Sequence, residues 1–357
     1  MFLKRNLFLL IIVFGTLQSQ AQVFRKYSNE FLNLGVGADA FGMGKAVVAS
    51  AKGVNAGYWN PAGLTELKER EVSFMHASYF QGIANYDFAA YALPINRTSS
   101  LAFYALRFGV DDILNTTELI DNQGNIDFNR ISLFSANDYA FNMAYAKKLE
   151  KSGMSFGFNA KVVRRLIGKF ASAWGFGFDA GWQYKSATWK AGIMVRDITT
   201  TFNTWTINQA EFDKISGAID GQNQELPQTT ELSIPKIQIG LARQFNISYD
   251  FNLLAEADLA ISLKHTNDLI ATSLFSMSPA LGFELNYQER AFLRGGVTNF
   301  QNFKNFDGSK SLSIEPNIGV GFIVKNIQID YALSNIGGAS GTLFSNVFSI
   351  KFNLSNN

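Results

Sequence analysis

The chain has 357 residues, a formal net charge of +2, 14% aromatic and 17% charged residues, and no cysteine. The lack of cysteine excludes disulfides and thiolate chemistry, and the near-neutral charge gives no reason to expect nucleic acid as a partner. The charged fraction lies below the roughly 25% of an average globular domain, and the Phe-rich, Pro-poor composition favours strands over helices.

The first 21 residues have the pattern of a secretory signal peptide. Lys4 and Arg5 form a basic start, residues 7–17 form an apolar run, and Ser-Gln-Ala at 19–21 resembles a small-x-small cleavage site. We therefore expect export and cleavage after Ala21, which would leave a mature chain with no formal net charge. The alternative is an uncleaved membrane anchor, for which the apolar run is short.

Residues 22–71 do not alternate as a strand does. They contain the run FLNLGVGADAFGMG at 31–44 and the run YWNPAGL at 58–64. Glycine permits tight turns, and Pro61 restricts the preceding residue to extended geometry. The strands that follow predict a wide barrel, whose interior must be filled or left as a pore, so we predict that this segment is a plug. Its candidate structural or ligand-lining residues are Gly35, Gly37, Phe41, Gly42, Met43, Gly44, Tyr58, Trp59, Asn60, Pro61 and Gly63.

From residue 72 onward, apolar residues recur at every second position. Between Trp174 and Tyr184 every even residue is apolar and every odd residue is small or polar, which is typical of a strand with one apolar face. Fourteen segments of suitable length have period-2 character. They are 72–79, 85–93, 98–109, 137–149, 154–166, 173–185, 189–197, 236–245, 251–262, 277–288, 291–300, 313–325, 327–335 and 345–354.

The connections between these segments alternate in length. Those after even-numbered segments are short, whereas most of those after odd-numbered segments are long, notably 110–136 and 198–235. Long loops on one rim, short turns on the other and an even strand number are typical of outer-membrane barrels. We therefore predict an all-β transmembrane fold, a 14-stranded antiparallel outer-membrane β-barrel over 72–357. A secreted sandwich would share the period of two but has no reason to sort its loops by parity, and no propeller repeat is visible.

The two plug motifs resemble those of the PorV/PorQ family of outer-membrane proteins from Bacteroidota. The FadL fatty-acid transporters, which that family resembles, also carry an Asn-Pro-Ala segment in an N-terminal hatch. The resemblance implies a FadL-like barrel in the outer membrane and a role in the type IX secretion system. The partners it implies are the translocon, the surface attachment proteins and the C-terminal signal domains of secreted cargo, besides outer-membrane lipid. The sequence does not assign the chain to the PorV-like or the PorQ-like branch.

No residue pattern predicts catalysis. The two histidines, His76 and His265, lie far apart in sequence and show no ligand spacing, so we expect neither a His-based metal site nor a catalytic triad. Glu256 and Asp258 share one strand face and are compatible with acid–base chemistry. Lumen-facing charges, which either pair across the lumen or hold the plug, explain them better, because charges facing lipid cost a few kcal/mol each. We expect no enzymatic activity, no cofactor and no metal.

Three functions remain open at this point. The first is protein binding through the long loops, where Phe202 and Trp205 of loop 198–235 are candidate contact residues. The second is FadL-like transport of hydrophobic small molecules along Phe41, Met43 and Tyr58. The third is a structural barrel without a ligand. An apolar lumenal cavity would favour transport, and a blocked lumen with an exposed apolar rim would favour protein binding.

Overall fold

The computed structural model describes residues 29–79, 82–120, 123–150, 152–216, 230–304, 309–336 and 344–354. The predicted signal peptide lies outside these residues. Within the described ranges, none of the helices has the length and apolar character needed to cross a membrane. Strands dominate the described chain, in agreement with its composition.

All strands belong to one antiparallel sheet. Their bounds are β1 Arg70–Tyr79, β2 Ala84–Asn96, β3 Ser99–Asn115, β4 Ser132–Lys148, β5 Met154–Ile167, β6 Ala171–Lys185, β7 Trp189–Arg196, β8 Thr201–Ile207, β9 Thr230–Ser233, β10 Lys236–Asn246, β11 Phe251–Ser262, β12 Ile270–Ala271, β13 Ser276–Tyr287, β14 Ala291–Lys304, β15 Lys310–Val324, β16 Ile327–Ser334 and β17 Ser345–Leu354. The α-helices are α1 Ala38–Gly42, α2 Ala56–Trp59 and α3 Gln209–Ser216, and 3₁₀ turns span Glu30–Asn33, Pro61–Glu66 and Phe128–Arg130.

The sheet closes on itself because β1 pairs with both β2 and β17. β7 and β8 occupy one position in the wall, since β7 pairs with the second half of β6 and β8 with its first half. β9 and β10 share the next position, where they pair with β8 and β7. β12 is a two-residue strand beside β13. The wall therefore has fourteen positions, and the prediction of a 14-stranded antiparallel barrel is confirmed.

The outer face of the barrel is apolar. The even residues of β6 predicted to form its apolar face point outward, and Phe176 on β6 and Phe158 on β5 are 61% and 62% exposed. Comparable exposed side chains occur on most of the other wall strands, among them Phe74, Phe141, Leu241, Phe283, Phe322 and Phe348. A soluble monomer does not expose so large an apolar surface, whereas the lipid-facing wall of an outer-membrane barrel requires it.

Residues 29–69 lie inside this wall and form the plug. Val36, Phe41 and Leu64 have no exposed surface, and the α1 and α2 helices are almost wholly buried. The plug passes directly into β1 at Arg70.

The two long connections contain more regular structure than we predicted. β3 continues to Asn115 through a bulge after Val110, and β4 begins at Ser132, so the loop within 110–136 is confined to 116–131. Loop 198–235 contains β8, α3 and β9. The period of two did not reveal β8 because Thr204 and Thr206, which share the outward side of Phe202, are polar.

Candidate functional site

The wall is lined with glycine where it meets the plug. A Cβ atom built on any of seven inward-facing glycines would lie within 3 Å of a plug atom. These glycines are Gly157, Gly181, Gly192, Gly240, Gly282, Gly296 and Gly319. At Gly181 the added atom would lie 2.1 Å from Oδ1 of Asn60, so even alanine would displace the plug. The shape of the inner wall is therefore matched to the plug backbone.

The Asn-Pro-Ala motif attaches the plug to the wall. The Asn60 side chain is fully buried, and its Nδ2 donates to the carbonyl oxygens of Val48 in the plug (3.0 Å) and Trp182 on β6 (3.1 Å). Its Oδ1 accepts from the backbone N–H of Ala62 and so caps the 3₁₀ turn that Pro61 begins. One amide thus satisfies groups in the plug and in the barrel.

Tyr58 joins three parts of the structure. Its hydroxyl donates to the carbonyl of Leu32 (2.7 Å) and accepts from the N–H of Gly35 (3.0 Å). Arg196 of β7 stacks on the ring at 4.4 Å and donates to the Tyr58 carbonyl at 3.0 Å. Burial raises the pKa of the Tyr58 phenol more than Arg196 lowers it, so the hydroxyl keeps the proton that it donates.

Trp59 packs against the neighbouring loop of the plug. Its Nε1 donates to the carbonyl of Val36 at 2.8 Å, and its ring meets that of Tyr58 edge-on at 5.0 Å. The ring also lies against Gly35, where φ is +105° and an added Cβ would be 3.1 Å from the indole. Both the backbone conformation and the close approach require glycine at this position.

The other predicted plug residues also lie in this assembly. Phe41 and Met43 are buried, Gly42 packs on Gly319 of β15, and Gly44 packs on Gly296 of β14. Gly37 has a φ of +80°, and Gly63 lies against the carbonyl of Ala51. The structure therefore brings all eleven candidate plug residues into one packed segment, where the glycines and Asn60 serve contact between backbones.

A carboxylate pair that was not among the candidate site residues holds the middle of the plug. Asp258 accepts from the N–H groups of Val47 and Val48 (2.9 and 3.0 Å), and Glu256 accepts from those of Ala49 and Ser50 (2.6 and 3.3 Å). Both acids lie on the inner face of β11 and are buried. The interpretation of these two acids as plug-holding residues agrees with these contacts, and the adjacent acids on one inward face were the signal in the sequence.

A second buried charge cluster lies where β7 passes into β8. Lys161 contacts Asp179 at 2.7 Å and Asp197 at 2.6 Å, and Asp179 also accepts from the N–H of Asp197 at 2.8 Å. Asp197 and Thr200 have φ values of 54° and 61°, a conformation that costs energy for residues other than glycine. The Lys161 ion pairs thus stabilise a bend in the barrel wall.

Three cavities follow one another through the lumen. The loop-side cavity, about 450 Å³, is bounded by Glu30, Lys45, Trp59, Lys236, Lys264 and Glu315 among others. The central cavity, about 130 Å³, is bounded by Met43, Val47, Trp59, Lys190, Leu254 and Phe292 among others. The turn-side cavity, about 210 Å³, lies at the short-turn rim and shares Lys52, Lys190, Leu254 and Glu284 with the central cavity.

These cavities combine apolar surface with charges. In the loop-side cavity Lys264 pairs with Glu30, but the ammonium group of Lys236 has no hydrogen-bond or ion-pair partner among the described residues. In the central cavity apolar side chains lie beside Lys52 and Lys190, whose ammonium groups form no direct ion pair in the described part of the chain, although Glu284 lines the same cavity and Glu66 lines the adjoining one. The apolar path that we predicted along Phe41, Met43 and Tyr58 is absent from these cavities except for Met43, because the two aromatic rings are packed into the plug.

The two predicted contact residues of loop 198–235 point to opposite faces of β8. Phe202 faces outward and is exposed, but it pairs with Phe176 of β6 and so lies on the lipid-facing wall and not at the rim. Trp205 faces inward and stacks under the guanidinium of Arg165 at 5.2 Å, while Arg165 pairs with Asp138 and Glu231. Trp205 therefore has a packing role, because β8 is a strand and its alternation separates the two side chains.

Comparison with known proteins rests on structure, since no family model and no curated protein sequence matches the chain. It is similar to CymD, a monoaromatic hydrocarbon channel, with a TM-score of 0.56 and 11% identity over 90% of this chain and 98% of that one. For the Pseudomonas putida toluene transporter TodX the values are 0.55, 13%, 90% and 99%. For a Pseudomonas aeruginosa FadL homologue they are 0.50, 12%, 90% and 98%. The chain has the fold of FadL-type outer-membrane barrels.

The resemblance of the plug motifs implied a FadL-like barrel, and this expectation is confirmed by the fold. None of these comparisons supports the PorV/PorQ family or the type IX secretion system, so that finer assignment stays a prediction. At these identities the likeness concerns the fold and leaves the transported substance open.

Proposed function

We propose that this chain is a non-enzymatic outer-membrane transporter of FadL type that passes small molecules with an apolar body and a charged group. The row of three cavities on both sides of Trp59 carries this proposal. The proposal includes export, removal of residues 1–21 and a final location in the outer membrane, where the apolar outer wall contacts lipid. Solved barrels of this fold include a toluene transporter and a monoaromatic hydrocarbon channel.

The lining of the central cavity supports the choice of an amphiphile over a pure hydrocarbon. Apolar side chains such as Leu254 and Phe292 can contact an apolar body, and the ammonium groups of Lys52 and Lys190 lie beside Glu284 where the central and turn-side cavities meet. A carboxylate on the transported molecule would pair with these ammonium groups at that point.

Uptake in cells tests this proposal. Cells that lack the chain and cells complemented with it are compared for uptake of radiolabelled octanoate at micromolar concentration. We expect uptake to fall on deletion, to return with the wild type and to remain low with Lys190→Gln. Lys147→Gln, at an exposed site on β4, is the matched control and should restore uptake. Equal uptake with and without the chain would overturn the proposal.

A second candidate function is protein docking at the long-loop rim, as a PorV-like component of the type IX secretion system. The observation in its favour is an apolar rim: Leu114, Ile126 and Phe128 around the β3–β4 connection are exposed, with Phe128 at 71%. The resemblance of the plug motifs adds to this support. Its partners would be the translocon, the attachment proteins or the C-terminal signal domains of cargo.

Site-specific crosslinking in native membranes separates the two functions. A photoreactive group at Phe128 should capture secreted proteins with C-terminal signal domains if the rim docks cargo. The same group at Phe158, within the lipid-facing wall, is the control. Capture of no protein at the rim, together with loss of octanoate uptake on deletion, would reject docking and retain transport.

A further inference from the structure

Trp59 lies between two of the lumenal cavities. It is the one residue in the described part of the chain that lines both the loop-side and the central cavity. The central cavity in turn shares four lining residues with the turn-side cavity. The indole therefore borders both cavities and lies between them.

The indole is held in this position by few directional contacts. One hydrogen bond, from Nε1 to the carbonyl of Val36, fixes its tilt, and the ring rests on Gly35 and meets the Tyr58 ring edge-on. The remainder of the plug is attached elsewhere, through Asn60 to β6 and through backbone N–H groups to Glu256 and Asp258. The indole can therefore be displaced or truncated while the anchors of the plug stay in place.

We propose that Trp59 is the gate of the lumen, and that moving its indole joins the loop-side and central cavities into one water-accessible path without expulsion of the plug. The proposal rests on the transport function proposed above. In this proposal only the Trp59 side chain moves, and the hydrogen bonds between the plug and the wall are kept. The charged groups along the path imply that water and small ions follow once the indole is gone.

Conductance in planar lipid bilayers tests this gate with potassium chloride as the probe. We expect purified Trp59→Ala to give stepwise ion currents that the wild type lacks. Trp59→Leu, which keeps part of the apolar volume, should give smaller currents and serves as the second variant if the alanine variant does not fold. Trp189→Ala, at a half-exposed site on the outer wall, is the control and should remain silent. Heat-modifiable electrophoretic mobility establishes that each barrel is folded.

The absence of cysteine from the chain allows a second measurement. In Trp59→Ala combined with Lys190→Cys, a charged thiol reagent added on the loop side should reduce the current. Folded Trp59→Ala or Trp59→Leu barrels that conduct no more than the wild type would overturn the gate. The failure of transport itself is distinct, since it would appear as unchanged octanoate uptake in the cell assay while the Trp59 variants still conduct.

Discussion

At the scale of single residues, Asn60 connects the plug to the wall. Its side chain donates to the backbone of β6 and also caps a turn of its own segment. Leaving buried carbonyl groups without a donor costs more than one hydrogen bond contributes, because these groups lose water without a replacement.

Replacement of Asn60 should therefore weaken the attachment of the plug. We expect Asn60→Ala to lower the free energy of unfolding by about 2 kcal/mol, because the amide that bonds to Val48, Trp182 and Ala62 is removed. The urea midpoint in detergent micelles measures this loss. Asn129→Ala, at an exposed position, is the control, and equal midpoints for the two variants would contradict the role of Asn60.

Glu66 provides a pH-dependent contact at the end of the plug. Burial alone would raise the pKa of Glu66, but the hydrogen bond and charge of Lys185, at 2.6 Å, lower it below its ordinary value. Because the pKa of Glu66 is lower in the folded than in the unfolded state, the carboxylate stabilises the folded state at pH values above its ordinary pKa. This contribution disappears as the pH falls through the lowered pKa of the folded state. We expect the stability of Glu66→Gln and the wild type to converge below about pH 4. Urea midpoints from pH 7 to pH 3 measure this, with Glu69→Gln as control; a constant difference across the range would refute it.

At the scale of elements, the bend between β7 and β8 depends on buried charges. Lys161 is the cation that compensates Asp179 and Asp197 while Asp197 and Thr200 adopt positive φ values. Removing one member of a buried ion cluster leaves the others uncompensated in a medium of low polarity.

Loss of the Lys161 charge should consequently be costly. We expect Lys161→Met to lower the free energy of unfolding by about 3–5 kcal/mol, while Lys147→Met, on the exposed end of β4, changes it little. Thermal unfolding in micelles compares the two. If Lys161→Met unfolds at the wild-type temperature, the cluster does not stabilise the bend.

Most of the strands could be predicted from the sequence alone. All fourteen wall positions were predictable because the lipid-facing side chains must be apolar, which leaves a period of two in segments such as β6. β8 escaped that rule because Thr204 and Thr206 are polar. The lack of alternation in residues 22–71 and the width of the barrel predicted a plug, but the roles of Gly181 and Trp59 depend on contacts with distant strands and on cavities that local patterns do not encode.

At the scale of the whole molecule, the two faces of each strand meet different surroundings. Outward side chains contact lipid and must be large and apolar, whereas inward side chains must fit the plug. A charge placed on that face must be transferred into hydrocarbon, at a cost that depends on its depth.

Insertion into the membrane should therefore be impaired by a charge on the outer face. We expect Phe178→Lys, in the middle of β6, to cost about 2–4 kcal/mol and to reduce the folded fraction in lipid vesicles. Ser172→Lys, near the long-loop end of the same face, should fold nearly as well as the wild type. Equal folding yields for both variants would show that this face of β6 does not contact lipid.

The glycine lining of the wall has a consequence for how the barrel can be altered. Glycine weakens a strand because it loses much conformational freedom and offers no side chain to pack. In this barrel the plug backbone occupies the space that side chains would otherwise fill. Deleting the plug to obtain a wide pore would therefore leave a thin and pliable cylinder, and a stable open version would need larger residues at the seven glycine positions.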